Sequence, residues 1–269
     1  TTEVTDEDGH ITYLTSYEIL NSGYGSKNNP YIIYDVPTWD YYMTQVNDSM
    51  HYYRLVTDLD FSTVYENPST SVIDFMGNIQ GNNMDISGLR IYTTSTLEGI
   101  GLFRKTMSAD DLSIVNAIRN IDITADSILA TKTQAVGALA GIIEDFDIYN
   151  VDITANDIIV GANAVGGLAG VVRGDFDLEM ITSDASVNSI RTSSGYRYSI
   201  YLSRNNTSDN TRLEASENLS SVYYAGSIAG ILDGYSNASY DIDDTREINS
   251  SNYFEAKKLS VNGDIVGIG

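Results

Sequence analysis

The segment AVGALAG at residues 135–141 decides the fold, because it recurs as AVGGLAG at residues 164–170, an offset of 29. A third copy, YAGSIAG at residues 224–230, follows the second at an offset of 60, which indicates two periods. GIGLFR at 99–104 is a degenerate earlier copy, and IVGIG at 265–269 has the form of a fourth copy cut short. Recurrence at one spacing predicts a chain of equivalent stacked units.

A second motif has nearly the same spacing. IRNIDITA at residues 118–125 matches IYNVDITA at 148–155, and DFDI at 145–148 matches DFDL at 175–178, each pair at an offset of 30. Because unrelated motifs share one period, the repeat is the whole unit of about 30 residues.

Within a unit, apolar and polar residues alternate along the segment 145–154, a pattern typical of strands with one buried face. The phase slips at Tyr149 and Asn150, which predicts a bend, and Asn120 one period earlier predicts an amide ladder there. Each unit then holds about three short strands, and stacking units about 4.8 Å apart buries a continuous apolar column. We therefore predict an all-β fold, a right-handed parallel β-helix (solenoid) with coils of about 30 residues.

The N-terminal end of such a stack needs a cover, because its first coil exposes unpaired strand edges. Pro37 suits a first helical turn, and Trp39, Tyr42 and Met43 fall on one helical face, so residues 37–43 predict a short capping helix. A strand is expected to follow at residues 52–56.

These patterns divide the chain into a leading segment and cap at residues 1–50 and a solenoid at residues 51–269. Residues 191–222 interrupt the repeat and predict either a degenerate coil or a loop excursion. Since the sequence stops inside a repeat, we expect the native polypeptide to continue past Gly269 with further domains.

The recurring glycines occupy one place in the unit. They predict tight corners or a narrow inner face on which a side chain would clash, and they do not form a phosphate-binding loop. These glycines are Gly137, Gly141, Gly166, Gly167, Gly170, Gly226 and Gly230.

Composition narrows the function. The net charge of −22 disfavours nucleic acid and anionic lipid and favours cations or basic partners. The chain has no cysteine, which excludes disulfides and thiolate chemistry, and no apolar run of about 18 residues, so no membrane insertion is expected. His10 and His51 are its only histidines, and neither belongs to a His-Glu-x-x-His or nucleophile motif. We therefore predict that this sequence is not an enzyme.

Two groups of residues are candidate binding sites. At an offset of 30, like-charged aspartates stack on neighbouring strands, where Ca²⁺ could bridge them; these pairs are Asp122 with Asp152, Asp145 with Asp175, and Asp147 with Asp177. No other cofactor is expected. In the interrupted stretch, arginines and tyrosines are candidate contacts for a partner or a sugar: Tyr196, Arg197, Tyr198, Tyr201 and Arg204.

Several segments, taken in order, resemble the GLUG-type repeat of bacterial surface proteins, which also occurs in the N-terminal regions of immunoglobulin-A-specific metallopeptidases. They are NPYIIY (29–34), YRLVTDLD (53–60), FMGNIQGNNMDISGLRI (75–91) and VGGLAG (165–170). The resemblance covers roughly residues 28–269 and implies an exported β-helical region without catalytic residues. Arg104, where the signature usually has Gly, departs from it.

The sequence thus predicts a non-catalytic extracellular structural or binding module, an adhesin, spacer or scaffold on the bacterial cell surface. Its expected partners are a protein or glycan of a host or neighbouring cell. One alternative is the substrate-recognition region of a secreted metallopeptidase. Another is a glycan-binding or glycan-cleaving β-helix such as a phage tail spike.

Overall fold

The computed structural model consists mainly of strands in parallel sheets. The structure describes residues 2–5, 11–14, 23–63, 67–108, 116–174, 176–189, 224–226, 228–233, 255–257, 259–261 and 265–267. Strands β1 (Thr2–Thr5) and β2 (Ile11–Leu14) pair antiparallel as a separate two-stranded sheet. The described part of the chain contains no helix long and apolar enough to cross a membrane.

The largest sheet, called here the long sheet, contains ten strands with parallel pairing throughout. Its central strands are 13 to 16 residues long. Its strands are β3 (Tyr31–Ile33), β4 (Tyr52–Leu55), β5 (Leu59–Asp60), β7 (Asn78–Thr93), β10 (Ala117–Ala130), β13 (Asp147–Gly161), β16 (Asp177–Ser189), β19 (Glu255–Lys257), β20 (Ser260–Val261) and β21 (Ile265–Gly267).

Two further parallel sheets are built from short strands. The second sheet contains β8 (Gly99–Ile100), β11 (Ala135–Val136), β14 (Ala164–Gly166) and β17 (Tyr224–Gly226). The third sheet contains β6 (Asp74–Phe75), β9 (Phe103–Met107), β12 (Ala140–Glu144), β15 (Ala169–Arg173) and β18 (Ala229–Asp233). From β7 onward the chain visits the long, second and third sheets in that order, four times in succession.

The strand registers place equivalent residues of successive units beside one another. In the long sheet Ile118 lies opposite Ile148, an offset of 30, and in the second sheet Ala135 lies opposite Ala164, an offset of 29. The third copy of the motif is a direct neighbour of the second, because Ala169 lies opposite Ala229. The offset of 60 is therefore one step of the ladder, and its interpretation as two periods is wrong.

Most buried side chains form one apolar column that extends from Ile33 to Ile228. An aromatic row lies at its start: Phe75 stacks on Phe103 with ring centroids 4.7 Å apart, and Phe146 follows 6.1 Å from Phe75. Burial of these inward-facing residues is the main force that holds successive strands together.

Helix α1 (Val36–Gln45) contains the predicted helix and extends it at both ends. The side chain of Asp35 caps it by accepting a hydrogen bond of 2.7 Å from the backbone N–H of Thr38. Trp39, Tyr42 and Met43 are buried, as their common face predicted. The Trp39 ring lies 5.6 Å from Phe103, so the helix packs on the first residues of the aromatic row.

The recurring glycines lie where backbones of neighbouring strands almost touch. A Cβ atom on Gly137 would meet the Cα of Ala169 and would lie 2.5 Å from the carbonyl oxygen of Leu168. Gly141 and Gly170 face the backbones of Gly99 and Ala135 in the same way, and none of the three has a positive φ. Of the two roles expected for the glycines, close approach therefore explains these positions.

The bend predicted at Tyr149 and Asn150 is a column of left-handed residues. Asn120 and Asn150 have φ values of 55° and 51°, and asparagine tolerates this conformation better than most residues. The Nδ2 group of Asn150 donates a hydrogen bond of 3.0 Å to Oδ1 of Asn120, which confirms the amide ladder. Met180 takes the next place in the column with φ 55°.

Met180 is therefore the residue of this column least suited to a positive φ. We expect Met180→Asn to raise the free energy of unfolding by about 1 kcal/mol, because it relieves backbone strain and adds an amide to the ladder. Thermal unfolding followed by circular dichroism would measure the gain. Met180→Gly is the control, since it relieves the strain without extending the ladder, and an asparagine variant no more stable than this control would contradict a ladder contribution.

Candidate functional site: the outer face of the long sheet

The five predicted contact residues of the interrupted stretch, Tyr196, Arg197, Tyr198, Tyr201 and Arg204, lie outside the described residues, as does the whole segment 191–222. Asp175 also lies outside them. The remaining predicted aspartates are found on or beside the long sheet, and their surroundings differ from one pair to the next.

A row of three carboxylates crosses the long sheet. Asp122 lies opposite Asp152, as the offset of 30 predicted, and opposite Asp85 on its other side. Burial raises the pKa of Asp122, and the negative charges of Asp152 and Asp85 raise it further. Asp85 was missed from the sequence, because its offset from Asp122 is 37 and does not match one period.

Another predicted pair, Asp147 and Asp177, is surrounded by hydrogen-bond donors. The Tyr149 hydroxyl lies 3.0 Å from Oδ2 of both Asp147 and Asp177, and the backbone N–H of Asp177 donates to Oδ1 of Asp147 at 2.9 Å. Asp147 is 9% exposed, and burial raises its pKa. Burial, followed by the charge of Asp147, also raises the pKa of Tyr149. The phenol therefore bridges these two carboxylates.

Asp145 has a structural role at a turn. Its backbone has φ 50°, and its N–H donates a hydrogen bond of 3.1 Å to the carbonyl oxygen of Arg173.

Across the residues that the structure describes, no group of three or more His, Asp or Glu side chains has an arrangement that could hold a metal ion.

Asp122 offers a test of the carboxylate row. We expect Asp122→Asn to raise the melting temperature at pH 7 by about 1–3 °C, because it removes the middle one of three like charges on facing positions. The folded protein raises the pKa of Asp122, so the stabilisation from its protonated form is complete at acid pH and is lost as the pH rises through that pKa. The variant's advantage should therefore vanish at low pH.

Thermal melts of both proteins between pH 3 and pH 8 would measure this difference. Asp126→Asn is the matched control, since Asp126 lies on the same strand but accepts hydrogen bonds from Arg90 and Asn156. An advantage of Asp122→Asn that is independent of pH would contradict the electrostatic origin.

A second row on the outer face is basic. Arg54 lies opposite Gln80, which lies opposite Arg119, so the two arginines are two strands apart, about 10 Å between Cα atoms. The guanidinium carbon of Arg119 lies 4.4 Å from the centre of the Tyr149 ring, a cation–π contact. Beyond Tyr149 the row continues to Glu179 and turns acidic.

The basic row borders a cavity of about 320 Å³ at the N-terminal strands of the long sheet. Lys27 and Tyr52 also line it, and so does Asn78, one row away from Gln80. No Asp or Glu is found among the described residues of its lining. In a protein with a net charge of −22, such a lining is a local reversal of charge.

In the third sheet, by contrast, cationic side chains pair with carboxylates. Arg173 donates hydrogen bonds of 2.6 and 3.0 Å to Glu144, and Lys105 pairs with the same carboxylate. Arg104 likewise donates two hydrogen bonds to Asp74. Those cations are used to join neighbouring strands. In the described part of the chain Lys27 and Arg119 form no ion pair within 4 Å.

The chain matches no protein-family model, no curated protein and no solved structure. The candidate sites therefore rest on their own geometry.

Proposed function

We propose that the three parallel sheets are the faces of a right-handed β-helical solenoid, and that this solenoid is a non-catalytic structural and binding module. The supporting observation is that identical side chains face one another on neighbouring strands. Isoleucine stacks on isoleucine at Ile118 and Ile148, and asparagine bonds to asparagine at Asn120 and Asn150. Ladders of this kind stabilise stacking in one direction and produce a stiff rod.

The setting of the module is a further part of the proposal. The resemblance of residues 28–269 to GLUG-type repeats supports a place in a larger bacterial surface protein, as an adhesin, spacer or scaffold. A net charge of −22 is compatible with a well-hydrated extracellular surface. Antibody against the module should label intact cells of the source organism, and labelling that requires permeabilised cells would overturn this setting.

The solenoid is tested by removing one unit. Deleting residues 118–147 joins Ala117 to Ile148, which takes the place of Ile118 in the ladder. Small-angle X-ray scattering should then show a folded rod shorter by about 4.8 Å. Deletion of residues 118–132, half a unit, is the control and should abolish folding. A full-unit deletion that unfolds the chain as the control does would contradict the proposal.

The calcium prediction is carried forward for one pair, and we propose that Asp122 and Asp152 together bind Ca²⁺. Carboxylate oxygens on adjacent strands suit a cation that takes several oxygen ligands, and neutralisation would relieve the repulsion within the row. We expect millimolar calcium to raise the melting temperature of the wild type but not of Asp122→Asn. An unchanged wild-type melt in scanning calorimetry would exclude the site.

A further inference from the structure

The cavity beside the basic row has the composition of a ligand site. Three cationic side chains, Lys27, Arg54 and Arg119, border a space of about 320 Å³. That volume lies within the usual range of small-molecule sites. Cations gathered in this way in an acidic protein attract anions to the cavity.

Two further observations narrow the ligand. Asn78 is 9% exposed, and its Nδ2 group finds no acceptor among the described residues, while its Oδ1 accepts from the backbone N–H of Ala117. A buried amide donor without an acceptor is unfavourable. The nitrogen has almost no accessible surface, so a ligand oxygen would reach it only after the Asn78 side chain turns toward the cavity. Gln80 provides a second amide at the floor, and its Oε1 accepts from Asn120.

Apolar side chains also line the cavity. Tyr52 and Pro30 line the same space and offer apolar surface beside the amides and cations. Amides that donate and accept suit hydroxyl groups, a tyrosine ring suits the C–H face of a pyranose, and arginine suits a carboxylate in a bidentate arrangement. An isolated carboxylate side chain of a peptide would use only the last of these.

We infer that this cavity binds an acidic monosaccharide unit, a hexuronate whose carboxylate pairs with Arg119. Its ring lies against Tyr52, and its hydroxyls reach the amide of Gln80. The inference names a ligand class for the binding role proposed above and rests on that role. It assigns no bond cleavage to the site.

Isothermal titration of the full chain with D-glucuronate tests the inference. A single hexuronate should bind with a Kd of about 1 mM at low salt, as expected for a ligand of this size. D-Glucose, which lacks the carboxylate, should bind at least about tenfold more weakly. Raising the salt concentration should also weaken hexuronate binding, because the contact is ionic.

Arg119→Gln is the decisive variant, since Arg119 is exposed and its loss leaves the core intact. It should weaken glucuronate binding at least about tenfold. Arg90→Gln is the matched control: it removes the same charge from the same sheet, at a residue paired with Asp126, and should leave the affinity unchanged. Arg54→Gln repeats the test on the other side of the cavity.

Three results would overturn the inference. They are no saturable heat with glucuronate, equal affinity for glucose, or an Arg119→Gln protein that binds as the wild type does. N-Acetylaspartate amide separates a sugar from a peptide carboxylate, and binding as tight as that of glucuronate would point to a peptide and also overturn it. Each of these results would leave the solenoid standing, because the unit deletion tests that separately.

Discussion

Gly137→Ala is expected to destabilise the folded protein by at least about 3 kcal/mol, the upper end of the usual range for overpacking. The added Cβ would meet the Cα of Ala169 and the carbonyl oxygens of Leu168 and Ala140. All three are backbone atoms, so no side-chain rotation relieves the clash. The second and third sheets would have to move apart, and urea unfolding followed by circular dichroism would measure the loss.

Thr154→Val is the control for this substitution. Thr154 is exposed on β13, and valine keeps its size and β-branching, so the free energy of unfolding should change by less than about 0.5 kcal/mol. Gly170→Ala should reproduce the large loss, because its Cβ would meet the backbone of Ala135 and Val136. A Gly137→Ala protein as stable as the control would show that close backbone approach does not determine this motif.

Trp39→Ala is expected to cost about 3–5 kcal/mol of stability. Trp39 is 1% exposed, and its ring packs 5.6 Å from Phe103 and 6.2 Å from Phe61. Truncation leaves a cavity at the start of the aromatic row and separates helix α1 from the sheets. The melting temperature should fall by about 6–20 °C in circular dichroism.

Trp39→Phe distinguishes packing from a general effect of substitution. Phenylalanine keeps an aromatic ring beside Phe103 and removes the Nε1–H, which has no acceptor among the described residues. The loss should therefore be no more than about 2 kcal/mol. Equal losses in the two variants would indicate that ring packing contributes little at this position.

The fold could be predicted where neighbouring strands carry similar residues. The motifs around Ile118 and Ile148 are almost identical, so an offset of 30 predicted their pairing and the amide ladder beside it. Helix α1 could be predicted from its own residues, because Pro37 and the face of Trp39, Tyr42 and Met43 are local signals.

The basic row could not be predicted in the same way. The offset between Gln80 and its neighbour Arg119 is 39, and that between Arg54 and Gln80 is 26, so no single offset brings the three together. The irregular spacing arises from longer and shorter connections between early strands, which the sequence does not mark. One signal was present: the matched motifs differ at only two positions, and the less conservative of them pairs Arg119 with Tyr149, which form the cation–π contact.

The registers also determine where this chain can change its length in evolution. The offset between paired residues is 30 at Ala125 and Ala155, 31 at Ile128 and Ile159, and 29 at Ala135 and Ala164. Successive units thus differ in length by one residue at the bulge in β13 and by two in the connection that follows it. A gain inside a regular strand would turn every later side chain to the wrong face, whereas a bulge or connection confines it. Insertions and deletions among homologues should therefore occur at this bulge and in this connection, and the ladders should be preserved.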